Sequence, residues 1–291
     1  MDSSALLRLS RITRPCMRRK TPVLHGLAKL LLRVSCPKGG RRHETLILHS
    51  VPGGRMALDL NASLEYSLFF RGCHEPEIGN LIRRSAPKGG VCLDIGANVG
   101  AHTLVMAETV GASGRVLALE PHPRICERLR ANVALNGLGQ VRVIEAALWD
   151  SEGEAQLQGF ARGAFQQGIS SLVEGPGQGE AHTVRTITAQ TLATTHGLDR
   201  VDLVKIDAEG AEPAILAQLD RLIERCLPHL IFEYREASWR KQGQAIEPVL
   251  RRLRELGYLL HFVHRDATAE LAGPPPPSCE IYCVPGRRGA A

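Results

Sequence analysis

The sequence predicts an α/β fold in which helices cover both faces of a mostly parallel sheet. From about residue 91, short apolar segments alternate with amphipathic segments, a rhythm typical of repeated βαβ units. Apolar residues make up 44% of the 291 residues, which is enough for a substantial core. The last two predicted strands, 258–263 and 280–284, are separated by a proline-rich turn, so we expect an antiparallel closing pair.

The central elements are predicted from apolar runs and from residues that begin or end helices. A proline after His122 and another after Glu212 mark two helix beginnings, and Gly137 lies where a glycine commonly ends a helix. The strands are predicted at 91–95, 115–120, 141–148, 201–207 and 229–234, with further helices at 99–110 and 246–256.

Four regions are expected along the chain. Residues 1–42 form a basic arm, and residues 43–88 form a hairpin and a helix that cover the core. The core itself is expected at 89–285, followed by a frayed tail at 286–291. Within the core, residues 153–179 contain seven glycines and little apolar periodicity, which favours a variable loop in the form of a long hairpin or lid.

The positive charge of the chain is concentrated at its N-terminal end. Residues 1–42 have a net charge of +10, whereas the remainder has −4. Such an arm is either a solvated leader or a segment that attracts anionic lipid or nucleic acid. The core has few aromatic residues and no basic patch, which argues against nucleic acid. We therefore predict a cytoplasmic protein whose arm can contact the inner face of an anionic membrane.

No apolar run is long enough to span a membrane. The best stretch, 23–34, is interrupted by charged residues and can at most form an amphipathic surface helix. The eight cysteines are scattered without a CxxC pair, which predicts reduced thiols. Cys279 and Cys283 would face the same side of one strand, so a disulfide or a metal site there is the less favoured alternative.

The first core strand runs into the sequence DIGANVG, residues 94–100. Ligands of doubly wound sheets bind beyond the carboxyl ends of the strands. Gly96 and Gly100 allow a close approach of the backbone, and Asn98 tolerates a left-handed turn. The GxGxxG pattern of dinucleotide sites is absent, and Asp94 precedes the first glycine. A carboxylate there disfavours a pyrophosphate and suits a cationic ligand such as S-adenosylmethionine.

Two further strand ends fit the same ligand. Glu120 ends the second strand, where an acid can accept hydrogen bonds from both ribose hydroxyls, although a Glu before Pro121 is also an ordinary strand end. On the third strand, Glu145, Ala146 and Ala147 fall where an adenine edge would lie. Simple packing of small residues is the equally good alternative for this segment.

The sequence VKIDAEGAEP, residues 204–213, ends a strand that should be buried. Lys205 and Asp207 alternate onto the same face, and uncompensated buried charge is costly. Helix capping explains Glu212 and also fits Glu209. It does not explain Lys205 and Asp207, which we interpret as an ion pair or a catalytic couple.

Together these motifs resemble the FkbM family of methyltransferases. The resemblance rests on DIGANVG, ALEPHP, NVALNGL, GISSL and VKIDAEGAE, with GCHEPE upstream, and it covers about residues 65–235. It implies a Rossmann-like class I methyltransferase sheet with S-adenosyl-L-methionine as cofactor. It assigns the methionine end to Asp94, Gly96, Asn98 and Gly100, and the ribose to Glu120. We also predict cofactor contacts from Glu75, Pro121, Ala146, Ala147 and Asp207.

The resemblance implies methylation of a hydroxyl on a sugar, a glycolipid or a polyketide-type natural product. An alcohol needs a base to take its proton, and Asp207 is the first candidate, oriented by Lys205. Glu209, Glu233 and His102 are the reserve candidates. The acceptor and the oligomeric state stay open.

Three alternatives are kept. A divalent metal held by Asp207 with Glu209 or Glu233 could polarise the acceptor hydroxyl, although the spacing does not require it. A nicotinamide-dependent oxidoreductase would use the same type of core, but it would normally show GxGxxG. A non-catalytic module could bind membrane or nucleic acid through its basic arm.

Overall fold

The computed structural model describes residues 47–59, 62–159, 170–171, 181–264 and 267–286. Its strands are β1 (Ile47–Val51), β2 (Gly54–Leu58), β3 (Val91–Ile95), β4 (Arg115–Leu119), β5 (Val141–Ile144), β6 (Ala147–Leu148), β7 (Gly153–Gly159), β8 (Ser170–Ser171), β9 (Ala181–Ile187), β10 (Leu203–Ile206), β11 (His229–Arg235), β12 (Tyr258–His264), β13 (Ala267–Glu270) and β14 (Ser278–Pro285). Its helices are α1 (Ser63–Arg71), α2 (Pro76–Ser85), α3 (Ala101–Val110), α4 (Pro123–Leu135), α5 (Ala189–His196), α6 (Glu212–Cys226), α7 (Glu236–Lys241) and α8 (Glu247–Glu255).

A central sheet of eight strands organises the molecule, in the order β13-β12-β14-β11-β10-β3-β4-β5. The strands from β11 to β5 are mutually parallel, and β14 is antiparallel to both β11 and β12. This arrangement confirms the predicted mostly parallel sheet with an antiparallel C-terminal strand. Strand β13, which extends the sheet beyond β12, was not predicted.

Helices cover both faces of this sheet. On one face, Ile78 of α2 and Val105 of α3 pack with Cys92 and Ile231 of the sheet. On the opposite face, α6 and α8 pack against the other side of the same strands. Because β3 and β10 are buried between the two layers, charged side chains on them need partners within the protein.

The predicted strand 141–148 is wrong in its extent. The chain leaves the central sheet after β5, and β6 instead joins a second sheet in the order β6-β9-β7-β8. The bend falls at Glu145 and Ala146, and Ala146 is completely buried there. An unbroken apolar run does not indicate which of two sheets its second half joins.

The segment after β6 contains a hairpin and a helix. Strands β7 and β9 pair antiparallel, whereas residues 160–169 and 172–179 of the predicted loop lie outside the described residues. Helix α5 was not predicted. It begins after Thr188, whose hydroxyl accepts a hydrogen bond from the backbone N–H of Thr191.

The hairpin β1–β2 and helix α1 lie against the core. Asn132 of α4 accepts a hydrogen bond from the backbone N–H of Ala57, and Arg128 of α4 forms an ion pair with the buried carboxylate of Glu65. Leu104 of α3 packs within the same apolar cluster as Phe69 of α1. These contacts fix the chain that leads into α2, next to the carboxyl ends of the strands.

Within the described ranges, we find no helix with the length and apolarity required to cross a membrane. The predicted basic arm and the stretch 23–34 lie outside those ranges. Cys279 and Cys283 are buried free thiols in one apolar cluster. The alternative of a disulfide between them is therefore wrong.

Candidate active site

The candidate site lies where the strand order of the central sheet reverses. From β3 the chain proceeds outward through β4 and β5 on one side, and later through β10 and β11 on the other side. The helices that follow β3 and β10 lie on opposite faces of the sheet. A crevice at the carboxyl edge beside such a reversal is the usual ligand position in sheets of this kind.

The two loops are in tight contact through Gly96. This residue has φ +80°, and a Cβ there would lie 1.8 Å from the backbone carbonyl oxygen of Asp207. The N–H groups of Gly96 and Ala97 both donate to the carbonyl of Leu119 at the end of β4. The position thus requires glycine, because any side chain would push apart the loops that border the crevice.

Asp94 and Lys205 are neighbours across two parallel strands. They are register partners on β3 and β10, so their side chains point to the same face. Asp94 is completely buried; its Oδ2 accepts a hydrogen bond from the hydroxyl of Thr103, 2.6 Å away, and its Oδ1 has no partner among the described residues. Burial raises the pKa of Asp94 above its ordinary value, and the ammonium of Lys205 opposes this.

Lys205 and Asp207 form the predicted ion pair. The Lys205 Nζ lies 3.1 Å from Asp207 Oδ2, and the lysine side chain is only 3% exposed. Burial would lower the pKa of Lys205, but the carboxyls of Asp207 and Asp94 raise it above its ordinary value. Burial acts against the Asp207 carboxylate, yet the charge and hydrogen bond of Lys205 hold its pKa below the ordinary range. The pair is therefore ionised at neutral pH.

Glu120 lies one residue beyond β4, not within the strand as predicted. Its two carboxyl oxygens accept the backbone N–H groups of Asn98 at 3.0 Å and of His122 at 2.9 Å. Despite these donors, burial raises the pKa of Glu120 to about 7. Its carboxyl thus connects the loop after β3 to the start of α4, and each oxygen retains a lone pair for a further donor.

Arg235 joins two of the reserve candidates. Its guanidinium lies 2.9 Å from Glu209 Oε2 and 2.8 Å from Glu233 Oε1. Glu212 instead accepts the N–H groups of Ala208 and Gly210, so it closes the loop after β10. Glu209 therefore belongs to the ion-pair network of the crevice, and it does not cap α6.

Three acids and bases border the crevice from the α2 and α3 side. The Oε2 atom of Glu75 is 3.5 Å from His74 Nε2 and 3.8 Å from His102 Nε2. Burial, and next the ammonium of Lys205, lower the pKa of His102 well below its ordinary value. His102 is therefore a neutral imidazole at neutral pH.

Backbone strain is concentrated at the same place. Among the described residues, four non-glycine residues have a positive φ, and three of them, Glu75, Asn98 and Glu209, border the crevice. A left-handed conformation of such residues costs of the order of 1–3 kcal/mol each and is commonly kept at functional sites.

The structure also shows what the sequence missed. Glu280 of β14 is the register partner of Glu233 on β11, and electrostatic effects of Asp207 and Glu75 reach it. The only signal in the sequence was an acid between two buried residues of a strand. His74 was overlooked within GCHEPE. The adenine-edge assignment gains no side-chain support, because Glu145 pairs with Arg130 at 2.7 Å and Ala147 belongs to the second sheet.

The metal alternative receives no geometric support. No group of three or more His, Cys, Asp or Glu side chains within the described ranges is arranged to hold a metal ion. The ammonium of Lys205 contacts Asp207 instead, and its charge stabilises the ionised forms of both Asp207 and Asp94.

The sheet order and the acid–glycine loop at its reversal define a Rossmann-like class I methyltransferase. The family model named methyltransferase FkbM domain matches the sequence over residues 94–260, which is more than half of the chain. The chain therefore belongs to the FkbM family of S-adenosylmethionine-dependent methyltransferases. This result confirms the family, the fold class and the cofactor predicted from the sequence.

Two curated relatives are similar over much of the chain. AMB antimetabolite synthetase AmbE of Pseudomonas aeruginosa is 26% identical over 245 residues, which are 72% of this chain but only 11% of that protein. Methyltransferase sdnD of Sordaria araneosa is 27% identical over 212 residues, which are 62% of this chain and 76% of sdnD.

Among solved structures, methyltransferase FkbM from Methylobacillus flagellatus is 14% identical to this chain. The match covers 74% of this chain and 52% of that one, with a TM-score of 0.43. An O-methyltransferase from Thermotoga maritima is 13% identical, and the match covers 80% of this chain and 73% of that one, with a TM-score of 0.42. The fold class follows from the sheet order and does not depend on these low scores.

We predict that Gly96→Ala abolishes binding of the product S-adenosylhomocysteine and lowers the melting temperature. The added methyl group would collide with the backbone of Asp207, which cannot rotate away as a side chain could. Gly137→Ala is the matched control, because Gly137 has φ +61° with nothing within 4 Å of its Cβ position. The control should lose only about 1–2 kcal/mol of stability through backbone strain. Equal effects of the two variants on binding would contradict this role of Gly96.

Proposed function

We propose that the chain transfers the methyl group of S-adenosylmethionine to a hydroxyl oxygen of a small-molecule acceptor. Sugars, glycolipids and polyketide-type natural products are the acceptor classes we favour. The observation that supports this best is the buried Lys205–Asp207 pair beside the unpartnered Oδ1 of Asp94, at the edge where the strand order reverses. It provides both a place for a cationic cofactor and a carboxylate for the acceptor.

The residues present fit S-adenosylmethionine. A completely buried carboxyl oxygen without a donor, at Asp94, suits a group that offers N–H donors and positive charge. Gly96, Asn98 and Gly100 all have a positive φ, so the backbone of this loop turns sharply just after Asp94. Glu120, at the end of the next strand, can accept hydrogen bonds from the ribose hydroxyls. Glu75, Pro121, Ala146 and Ala147 are kept as proposed cofactor contacts.

We predict that Asp94→Asn weakens S-adenosylhomocysteine binding by about 1–3 kcal/mol, the scale of a lost charged hydrogen bond. Titration calorimetry measures the affinity directly. Glu127→Gln, an exposed acid on α4, is the control that should bind normally. An unchanged affinity of Asp94→Asn would remove this residue from the site.

When bound, S-adenosylmethionine supplies an electrophilic methyl group on a positively charged sulfur. The chain must orient the acceptor oxygen towards it and remove the hydroxyl proton. Asp207 is ionised at neutral pH and is 25% exposed, so it can accept this proton from an acceptor in the crevice. Lys205 holds the carboxylate in place by its hydrogen bond and, being buried itself, acts as a positioning residue.

Glu233 is the strongest alternative base. Burial, and next the charge of Asp207, raise its pKa to about 8, closer to the operating pH than the lowered pKa of Asp207. Such a base would be protonated at neutral pH and would become active only as the pH rises through about 8. Glu209 and His102 stay further alternatives, although neutral His102 has a lowered pKa and is a weak base.

We predict that Asp207→Asn lowers the methyl-transfer rate about 100- to 10,000-fold while cofactor affinity stays within a few fold. The asparagine keeps the shape but cannot take a proton. In the wild type, the rate should be nearly independent of pH between about 6 and 9, because the lowered pKa of Asp207 keeps its carboxylate ionised throughout this range. A rate that rises through about pH 8 and is lost in Glu233→Gln would assign the base to Glu233 instead.

The location of the protein remains a proposal from its sequence. The arm of residues 1–42, with its net charge of +10, supports a cytoplasmic enzyme that contacts the anionic inner face of a membrane. A glycolipid acceptor would fit such a position, whereas a small sugar would not require it.

A further inference from the structure

The carboxyl groups of Glu233 and Glu280 lie side by side on the acceptor side of the crevice. They are register partners on the antiparallel strands β11 and β14, so their Cβ atoms are about 5 Å apart on one face. Glu233 lies two residues after Ile231, the register partner of Lys205, so this is the face that bears Lys205. In both Glu233 and Glu280, the Oε2 atom is buried and has no hydrogen-bond partner among the described residues.

Unpartnered polar atoms are concentrated around this pair. Around the crevice, five buried side-chain atoms have no hydrogen-bond partner among the described residues, although two of them, Glu75 Oε2 and His102 Nε2, lie 3.8 Å from each other. These five belong to Glu75, Asp94, His102, Glu233 and Glu280. Asp94 is completely buried and His102 is only 5% exposed. Because native proteins rarely leave such atoms without a partner, a polar ligand is expected there.

The charges around the pair are unbalanced. The carboxyl groups whose charges act on the pair are those of Glu75, Asp207, Glu209 and Glu212, in addition to the two members of the pair. The opposing cations are Lys205 and Arg235, and the further titratable groups are His74 and the neutral His102. Burial, and next the charge of Asp207, raise the pKa of Glu280 well above its ordinary value. The free protein thus lacks positive charge here.

The cofactor does not account for this excess. Apart from Glu75 and Asp207, its predicted contacts lie at β3, at β4 or just after β5, whereas β11 and β14 are the second and third strands from β3 on the other side. With strands about 4.8 Å apart, the pair lies about 10–14 Å from β3. This distance places it where the acceptor must approach, beyond Asp207.

We propose that Glu233 and Glu280 bind a protonated amino group of the acceptor, so that the substrate is an amino alcohol such as an amino sugar. The inference rests on the proposed function, because it describes the acceptor of that reaction. The ammonium donates to the two unpartnered Oε2 atoms and supplies the missing positive charge. One hydroxyl of the same molecule then faces Asp207.

Binding of the ammonium is coupled to protonation. In the free protein the pKa of Glu233 is raised to about 8 and that of Glu280 is raised well above its ordinary value, so the pair is protonated at neutral pH. A cation between the two carboxyls favours their ionised forms, so this proton is released on binding. Affinity for an amine should therefore fall as the pH is lowered below 8, whereas affinity for a neutral polyol should not.

The test is titration calorimetry of the full chain saturated with S-adenosylhomocysteine. The probes are two pairs of compounds, D-glucosamine with D-glucose and ethanolamine with ethylene glycol. In each pair, the first compound has an amino group where the second has a hydroxyl. We expect each amine to bind at least about tenfold tighter than its neutral partner, because a charged hydrogen bond is lost in the latter. Titrations in two buffers of different ionisation enthalpy should show proton release with the amines alone.

The preference should disappear in Glu280→Gln and in Glu233→Gln, which retain the side-chain shape. Glu270→Gln, at an exposed position of β13, is the control that should keep it. Equal binding within each probe pair, no binding of either amine, or a preference that survives both substitutions would overturn the inference. If S-adenosylhomocysteine itself fails to bind the wild type, the proposed function fails. If it binds but amines are not preferred, only the amino-group subsite fails.

Discussion

The buried ammonium of Lys205 is the interaction on which the site depends. It contacts the carboxylate of Asp207 and is opposite Asp94 on the neighbouring strand, and its charge offsets the repulsion between these two carboxyls. Burying an ion costs several kcal/mol, and the cost is offset only when its partners are close and well oriented. Here the 3.1 Å contact with Asp207 and the charge of Asp94 keep the ammonium protonated although it is only 3% exposed.

This arrangement has consequences for both substrates. Lys205 lowers the pKa of Asp207, so a carboxylate is present beside the acceptor at neutral pH. It neutralises only part of the surrounding acidity, and Asp94 keeps an unpartnered oxygen. The negative charge that Lys205 leaves on the surrounding carboxyls suits the positively charged methyl donor. Gly96 keeps the two loops in contact, so that these groups converge on one crevice.

What the sequence could predict was local. A parallel core follows from the alternation of apolar and amphipathic segments, and the Lys205–Asp207 pair follows from two residues on one face of one strand. A close approach of the backbone at Gly96 follows from a strand that turns directly into a helix, although the group that approaches most closely is the backbone of Asp207, which the sequence did not indicate. Each of these inferences depends on a few consecutive residues.

What the sequence could not predict depends on contacts between distant segments. The strand predicted at 141–148 divides between two sheets, and a single apolar run holds no information on that choice. Glu280 becomes part of the site only through its register with Glu233 across two antiparallel strands. Glu209 resembled a capping residue until Arg235, 26 residues later, proved to be its partner.

The most direct test of this account is the affinity of Lys205→Met for S-adenosylhomocysteine, measured by titration calorimetry beside Lys88→Met. Lys88 is an exposed lysine on the loop before β3, so its variant serves as the control. The account predicts that Lys205→Met loses at least about tenfold in affinity, equal to about 1.4 kcal/mol, while Lys88→Met binds normally. Thermal unfolding of both variants separates loss of the site from loss of the fold. A folded Lys205→Met protein that binds as tightly as the wild type would contradict it.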